Sequence, residues 1–184
     1  MSDYCYHSHG GGCCGEASDS HTIVRLNFLR SELLYDIKNY AYIEAHVMGE
    51  EKQHAQHVLA DIGEPGNVDR VSRVLAVVHA AVIEMLYPYT KRPLADEELS
   101  DSLFEPDNYP VTLRVPSTMS RTTVRLLSRL IHEYMVYCVL ADWLSVANPD
   151  ASLNWSVKAE SVKKEIEEVK NLRRGVLTRK THPW

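Results

Sequence analysis

The first side chains that could do chemistry lie within the opening fourteen residues, where cysteine and histidine crowd together. Cysteine thiolates and histidine imidazoles are the ligands that Zn²⁺ takes in structural sites. The cluster consists of Cys5, His7, His9, Cys13 and Cys14. Its spacing departs from the usual paired C-x2–4-C and H-x3–5-H units, because the histidines are two apart and two cysteines adjoin. The alternatives are a zinc site and a Gly- and Ser-rich tail that binds metal weakly.

A second metal-like spacing is the pair Glu51-x-x-His54. Di-iron bundles use a Glu-x-x-His unit from each of two helices, together with two further inward-facing glutamates. The sequence offers no second copy, and the neighbours Glu50, Lys52 and Gln53 are typical of a solvated helix face. A helical enzyme with a metal site at Glu51 and His54 would therefore need ligands that the pattern does not supply.

Histidines that could act as acids or bases also stand on two predicted helices. His132 and Glu133 are adjacent, and adjacent residues on a helix point about 100° apart, so the two side chains do not face each other. His79 is expected to be a half-buried core histidine. The chain has no Gly-rich phosphate loop and no G-x-S-x-G motif. The sequence thus predicts a protein that is not an enzyme and has no cofactor, except for zinc if the N-terminal cluster binds it.

A basic stripe lies at helical spacing in the second half of the chain. Arg121, Arg125 and Arg129 stand at i, i+4 and i+8. Such a stripe could meet phosphates or an acidic partner. We favour pairing with the acidic segment 96–107 of the same chain or of a neighbour. The net charge of −5 argues against a general nucleic-acid binder.

The C-terminal segment 169–184 holds five basic residues and no acidic one, whereas the rest of the chain carries 15 basic and 25 acidic residues. Basic, frayed termini are common and often have no role. An exposed terminal tryptophan beside basic residues makes a good interface anchor, however. The candidate interface residues of this tail are Arg173, Arg174, Arg179, Lys180 and Trp184. We therefore expect the tail to dock against a protein.

At 184 residues the chain is long enough for one domain with a sizeable core. We find no apolar run long enough to span a bilayer and no secretory signal at the N-terminus, and so expect no membrane association. Three of the four cysteines lie within residues 5–14, unlike the even spacing of a secreted disulfide framework. These features favour folding in a reducing cytoplasm.

Hydrophobic periodicity and turn signals predict a mainly α fold, a bundle of four to five helices with one or two short β-strands and a long Pro/acid-rich loop. The helices are expected at about 28–48, 50–62, 67–87, 120–146 and 152–172, the strands at 22–26 and 111–115, and the loop at 88–110. We divide the chain into a flexible Cys/His/Gly-rich tail at 1–21, a helical domain at 22–172 and a basic tail at 173–184.

The strands must find partners, because a lone strand leaves its backbone amides and carbonyls unpaired. Segment 111–115 alternates apolar and polar residues between Pro110 and Pro116, which is typical of an edge strand. It pairs either with 22–26 of the same chain or with a strand of a neighbouring subunit. The second alternative would make the sheet part of an assembly.

Finer predictions concern the helices. Asn67 has the side chain to cap the third helix, and Glu160 and Lys164 stand at the i, i+4 spacing of an ion pair. Segment 134–144 is apolar nearly all round, so other elements must cover it on more than one side. The last helix places one apolar seam at Trp155, Ala159, Val162, Ile166 and Val169.

In the order of its helices, its long loop and its basic tail, the chain resembles small helical proteins encoded by tailed phages of gut Bacteroidales, including the crass-like phages. The resemblance covers roughly residues 24–184 and includes no catalytic motif. It is carried by SELLYDIKNYAYIEAHVM (31–48), GNVDRVSRVLAVVHAAVIEMLYPYTK (66–91), TTVRLLSRLIHEYMVYCVLADWLSVANP (122–149) and the tail NLRRGVLTRKTHPW (171–184).

In such phage genomes, proteins of this size and build often serve as neck, ring or head–tail connector subunits. The resemblance therefore implies a structural virion protein, made in the host bacterial cytoplasm and located in the neck or tail region. It would form a homo-oligomeric ring and bind portal and tail or neck proteins, without recognising a nucleic-acid sequence. The alternative is a metal-binding accessory or regulatory protein that uses the N-terminal Cys/His cluster.

Overall fold

The computed structural model describes residues 21–47, 53–91, 106–117 and 119–171. Within these ranges it contains five α-helices, a two-stranded sheet and one short 3₁₀ turn at Asp61–Gly63. The elements in chain order are β1 His21–Leu29, α1 Arg30–Val47, α2 Gln53–Ala60, α3 Pro65–Met85, β2 Asn108–Pro116, α4 Arg121–Ala147 and α5 Pro149–Asn171. The predicted mainly α fold with short strands is confirmed.

The centre of the fold is α4. Ser120 caps its N-terminus, and the Ser120 hydroxyl accepts a hydrogen bond from the Thr123 amide at 3.2 Å. The other four helices all pack against it. Its buried side chains come from several faces: Thr123, Leu127, Leu130, Ile131, Tyr134, Met135, Val136, Val139, Leu140, Trp143 and Leu144. The prediction that its apolar second half must be covered on more than one side is confirmed.

The last helix folds back along α4. Asn148 separates the two helices, and its side-chain carbonyl accepts a hydrogen bond from the Ala151 amide at 3.3 Å. The predicted apolar seam of α5, from Trp155 to Val169, is buried. One detail differs from the prediction, since Glu160 pairs with Lys163 at i, i+3 and 3.2 Å rather than with Lys164.

The start of α3 also differs from the prediction. The helix begins at Pro65, after Glu64, and proline suits this position because its missing amide proton would have no intrahelical acceptor. Asn67 lies within the first turn, where its side-chain amide donates to the Asp61 carbonyl at 2.8 Å. Asn67 is therefore not the cap; it ties α3 to the preceding 3₁₀ turn.

The two strands pair with each other in antiparallel fashion, in a register that places His21 opposite Pro116 and Leu29 opposite Asn108. Alternate residues of β2 are buried: Tyr109, Val111, Leu113 and Val115. The outer edge of β2 is partly covered, because the Arg114 amide donates to the Tyr89 carbonyl at 2.8 Å. Of the two predicted alternatives, pairing within one chain is correct, and the sheet gives no evidence of assembly.

By length and composition alone, α4 is the single helix in the described ranges that is apolar enough to cross a membrane. Half of its most apolar window is buried inside the fold. A core helix meets the same criteria. The contacts of α4 with the other four helices account for its apolar composition.

Candidate interaction surface

A groove between α1 and α4 brings together side chains that are far apart in the sequence. His132 Nε2 lies 2.9 Å from Asp36 Oδ2, and both residues line two adjoining cavities of about 400 and about 200 Å³. The larger cavity is also lined by Ser31, Glu32 and Tyr35. His132 and Asp36 therefore lie where the two cavities meet. We call the two cavities together the α1–α4 groove.

One end of the α1–α4 groove is aromatic. Tyr40 and Tyr137 line the smaller cavity, with ring centroids 6.2 Å apart in an edge-on arrangement. Trp155 of α5 closes this end, at 5.1 Å from Tyr40 and 5.2 Å from Tyr137. The indole of Trp155 is fixed, because its Nε1 donates to Glu44 Oε1 at 2.9 Å and Lys158 lies over its ring. Three helices therefore meet at one rigid aromatic cluster.

The charge of the α1–α4 groove is predominantly acidic. Glu32, Asp36 and Glu133 line it, whereas among the described residues Arg129 is the one arginine or lysine that does. Burial is the main reason that the pKa of Tyr137 is raised, and Glu133 and a hydrogen bond with Tyr40 raise it further. The phenol is therefore neutral across the physiological range, and the groove combines carboxylates with uncharged aromatic rings.

The outward side of α1 exposes four large apolar or aromatic side chains, with the polar residues Asn39 and His46 between them. Tyr35, Tyr42, Ile43 and Val47 stand at i, i+7, i+8 and i+12, on one side of the helix. Their exposed fractions are 66%, 57%, 55% and 76%. The opposite side of α1 contributes Leu33, Ile37, Ala41 and Ala45 to the core. This cluster of exposed apolar side chains makes the outer face of α1 a candidate contact surface, and Tyr35 joins it to the α1–α4 groove.

A second apolar surface lies on α5. Leu153 and Val157 stand one turn apart on its outward side and are exposed by 66% and 63%. They are turned away from Trp155, which points into the core. Exposed apolar side chains also occur on α3 (Val77) and α4 (Leu126, Val146), so those of α1 and α5 are two of several such positions.

The predicted arginine stripe is present on α4, where Arg121, Arg125 and Arg129 are all exposed. Arg129 lines the α1–α4 groove. Most of the acidic segment that we expected to pair with the stripe, residues 96–105, lies outside the described residues. Asp107, at the end of that segment, accepts the Arg30 amide through its backbone carbonyl at 3.0 Å. The pairing of the stripe with the acidic loop stays a prediction.

The predicted C-terminal interface residues, Arg173, Arg174, Arg179, Lys180 and Trp184, lie outside the described residues. The helix that leads to them is firmly held. Lys170 Nζ donates to the Met85 carbonyl at 2.6 Å, and the Lys170 carbonyl accepts a hydrogen bond from the Tyr89 hydroxyl at 3.2 Å. The end of α5 therefore lies beside the end of α3.

The predicted metal ligands Cys5, His7, His9, Cys13 and Cys14 lie outside the described residues, as does Glu51. His54 is on the exposed side of α2. In the part of the chain that the structure describes, no three His, Cys, Asp or Glu side chains are grouped so that they could hold a metal ion. Zinc binding by the N-terminal cluster stays a prediction.

Two further side chains that could do chemistry, His79 and Cys138, are partly buried and contribute to packing. His79 is half-buried as expected, its Nε2 donates to the Pro110 carbonyl at 3.0 Å, and its ring meets Tyr109 edge-on at 5.4 Å. Burial lowers the pKa of His79 below its usual value, against a smaller upward effect of that hydrogen bond. Burial also raises the pKa of the Cys138 thiol, which keeps it protonated and makes it a poor nucleophile.

Sequence reasoning missed the α1–α4 groove. It considered His132 beside Glu133, whereas the contact of His132 is Asp36, 96 positions earlier in the chain. Neither local spacing nor periodicity relates residues that far apart. The exposed apolar side chains of α1 could have been predicted from the sequence. Tyr35, Tyr42, Ile43 and Val47 are additional apolar or aromatic positions that do not belong to the buried seam of the same helix.

Comparisons of the chain with protein-family models, with curated proteins and with solved structures gave no match.

Proposed function

We propose that this chain is a non-enzymatic structural protein of a virion, a ring or connector subunit in the neck of a tailed phage. It would be made in the host bacterial cytoplasm, associate with copies of itself and bind portal and tail or neck proteins. The observation that carries the proposal is the apolar outer face of α1, where Tyr35, Tyr42, Ile43 and Val47 are exposed. Contiguous apolar patches on a protein surface mark contact sites with other molecules.

A ring subunit needs two different contact surfaces, and a second candidate surface lies on another helix. A ring needs heterologous contacts, in which one patch of a subunit meets a different patch of its neighbour and the rotation closes. The exposed apolar side chains of α1 and those of α5, Leu153 and Val157, offer two different surfaces on one molecule. The helical build and the resemblance to phage neck proteins support the same assignment.

The proposal is tested on the purified full-length chain by native mass spectrometry and light scattering, alone and with a purified portal. We expect a closed homo-oligomer or a stable complex with the portal. A protein that stays monomeric and does not bind the portal would contradict the proposal. Zinc content, measured on the same preparation, examines the metal-binding alternative separately: stoichiometric zinc that disappears when residues 1–20 are deleted would favour it.

A further inference from the structure

The α1–α4 groove has the shape of a site for an extended peptide. It runs along α1 from Ser31 to Tyr40, which are nine residues and therefore about 14 Å apart along the helix axis. At about 3.3 Å per residue, an extended chain of five residues covers that length. The Ser31 end carries Glu32, and the other end is closed by aromatic rings. A peptide that fits has cationic side chains at one end and an aromatic side chain at the other.

The C-terminal segment of this chain has that composition. Residues 180–184 read KTHPW, with Arg179 immediately before them. With Trp184 against Tyr40 and Tyr137, an extended segment brings Lys180 to the Glu32 end, about 13 Å away. In the part of the chain that the structure describes, three carboxylates line the groove against one basic side chain of the arginine and lysine type, Arg129. Charge complementarity therefore favours the segment.

The direction of the helices constrains how the segment can reach a groove. The contacts Asp36–His132 and Tyr40–Tyr137 show that α1 runs parallel to α4, whereas α5 runs antiparallel to it, as Ser152 contacts the Ala141 carbonyl. The aromatic end of a subunit's own groove lies beside Trp155. That position is 16 residues, or about 24 Å, back along α5 from its last residue, Asn171. A segment that enters the groove of its own subunit must therefore turn back at the end of α5, whereas a segment that docks on a second copy need not.

We infer that the α1–α4 groove is the docking site for the C-terminal segment 172–184 of a second copy of this chain. This inference rests on the proposed function and names one of its subunit contacts. The segment leaves beside the end of α3, where Lys170 is held by Met85 and Tyr89. The groove lies between α1 and α4, so a tail that docks there on another copy makes a heterologous link, as a ring requires. Trp184 is its aromatic anchor and the basic residues set its direction.

A zero-length carbodiimide crosslinker tests the inference on full-length protein, because it joins Lys180 to a carboxylate only when the two are in contact. We expect wild-type crosslinks from Lys180 to Glu32, Asp36 or Glu133, identified by mass spectrometry of the digested protein. Absence of every crosslink from Lys180 to these three carboxylates overturns the inference.

Two full-length variants produced together in the same cells establish which copy supplies the segment. The first carries Glu32→Gln, Asp36→Asn and Glu133→Gln, so that its groove cannot be crosslinked while its tail is intact. The second carries Lys180→Arg, which keeps the charge of the tail but removes the reactive amine. Each variant alone gives no crosslink between residue 180 and the groove, and the co-produced pair restores it only through a contact between copies. A crosslink present in wild type and missing from the pair overturns the inference, because docking is then within one chain.

Trp184→Ala tests the anchor. Removing an aromatic anchor from an interface is expected to raise the dissociation constant of the oligomer about tenfold or more. Thr181→Ala, in the same segment, is the matched control and should change it less than about twofold. Equal effects of the two substitutions overturn the inference. Native mass spectrometry distinguishes failure of this inference from failure of the proposed function. An oligomer that persists although Lys180 forms no crosslink refutes only the tail contact.

Discussion

The imidazole of His132 on α4 meets the carboxylate of Asp36 on α1, with 2.9 Å between Nε2 and Oδ2. The side chain of His132 is 23% exposed and that of Asp36 is 42% exposed, so solvent reaches both partners. The contact fixes α1 beside α4 at the middle of the α1–α4 groove and lies next to Phe28, whose ring centroid is 6.5 Å from that of His132. This pair therefore contributes more to the shape of the groove than to the stability of the fold.

Asp36→Ala should lower the free energy of unfolding only slightly, by about 0.5–1 kcal/mol, because polar side-chain contacts that solvent reaches are worth little. Urea denaturation followed by circular dichroism measures the change. Asp142→Ala is the matched control, since Asp142 pairs with Arg70 at the same distance of 2.9 Å and both side chains are 45% exposed. A loss of more than about 3 kcal/mol at Asp36 alone would mean that the contact behaves as a buried charge pair.

His79 should make the fold less stable in mild acid. Its pKa is lower in the folded protein than in the unfolded chain, so the unfolded chain binds the proton more readily. Stability is then fully present above the unfolded pKa of about 6.5 and falls as the pH drops below it. We expect the melting temperature to decrease between pH 7.5 and pH 5.5, and the decrease to be smaller in His79→Gln, whose amide can still donate to Pro110.

The control for the acid effect is His54→Gln, at an exposed position of α2, measured over the same pH range. A His79→Gln variant with the same loss of melting temperature as wild type would show that other groups cause it. Comparison of the two variants in the same buffers removes the contribution of the carboxylates that titrate below this range.

The helices could be predicted from the sequence because their signals are local. Ser120 before an apolar period marks the start of α4, and Asn148 with Pro149 marks its end. The start of α3 was placed at the wrong residue because two good signals compete there: Asn67 has a capping side chain, whereas Pro65 has a backbone preorganised for the first turn. Proline takes the first turn, and Asn67 bonds to Asp61 instead.

The α1–α4 groove could not be predicted, because its geometry depends on how α1 lies against α4. Periodicity places Ile37 and Ile131 in the core, but it does not set the relative direction or the register of the two helices. The contact of His132 with Asp36 appears only once the helices are packed. The pairing of the strands was ambiguous for a related reason, since an alternating pattern predicts a strand without identifying the chain that supplies its partner.

Ser120→Ala should destabilise the protein by about 1 kcal/mol, because it leaves the first amides of α4 without their capping acceptor. The effect should appear as a lower urea midpoint with an unchanged denaturant slope. Ser161→Ala is the control, since Ser161 is exposed within α5 and alanine favours a helix interior. If both variants lost the same stability, the cap would have no specific role.

The outer face of α1 should control assembly without contributing to the fold. The double substitution Tyr42→Ser and Ile43→Ser removes two exposed apolar side chains from that face, so the dissociation constant of the oligomer should rise at least about tenfold. The melting temperature, measured on a dilute monomeric sample, should shift by only a few degrees, because surface positions on a helix contribute little to stability.

Val77→Ser provides the matched control for this face. Val77 is 71% exposed on α3, so the substitution removes a similar apolar side chain from a helix that carries neither of the two proposed contact faces. Light scattering over a dilution series should give the same oligomer for this variant as for wild type. Equal weakening by the α1 and α3 substitutions would mean that assembly responds to surface hydrophobicity in general, and the face formed by Tyr35, Tyr42, Ile43 and Val47 would then not be the specific contact.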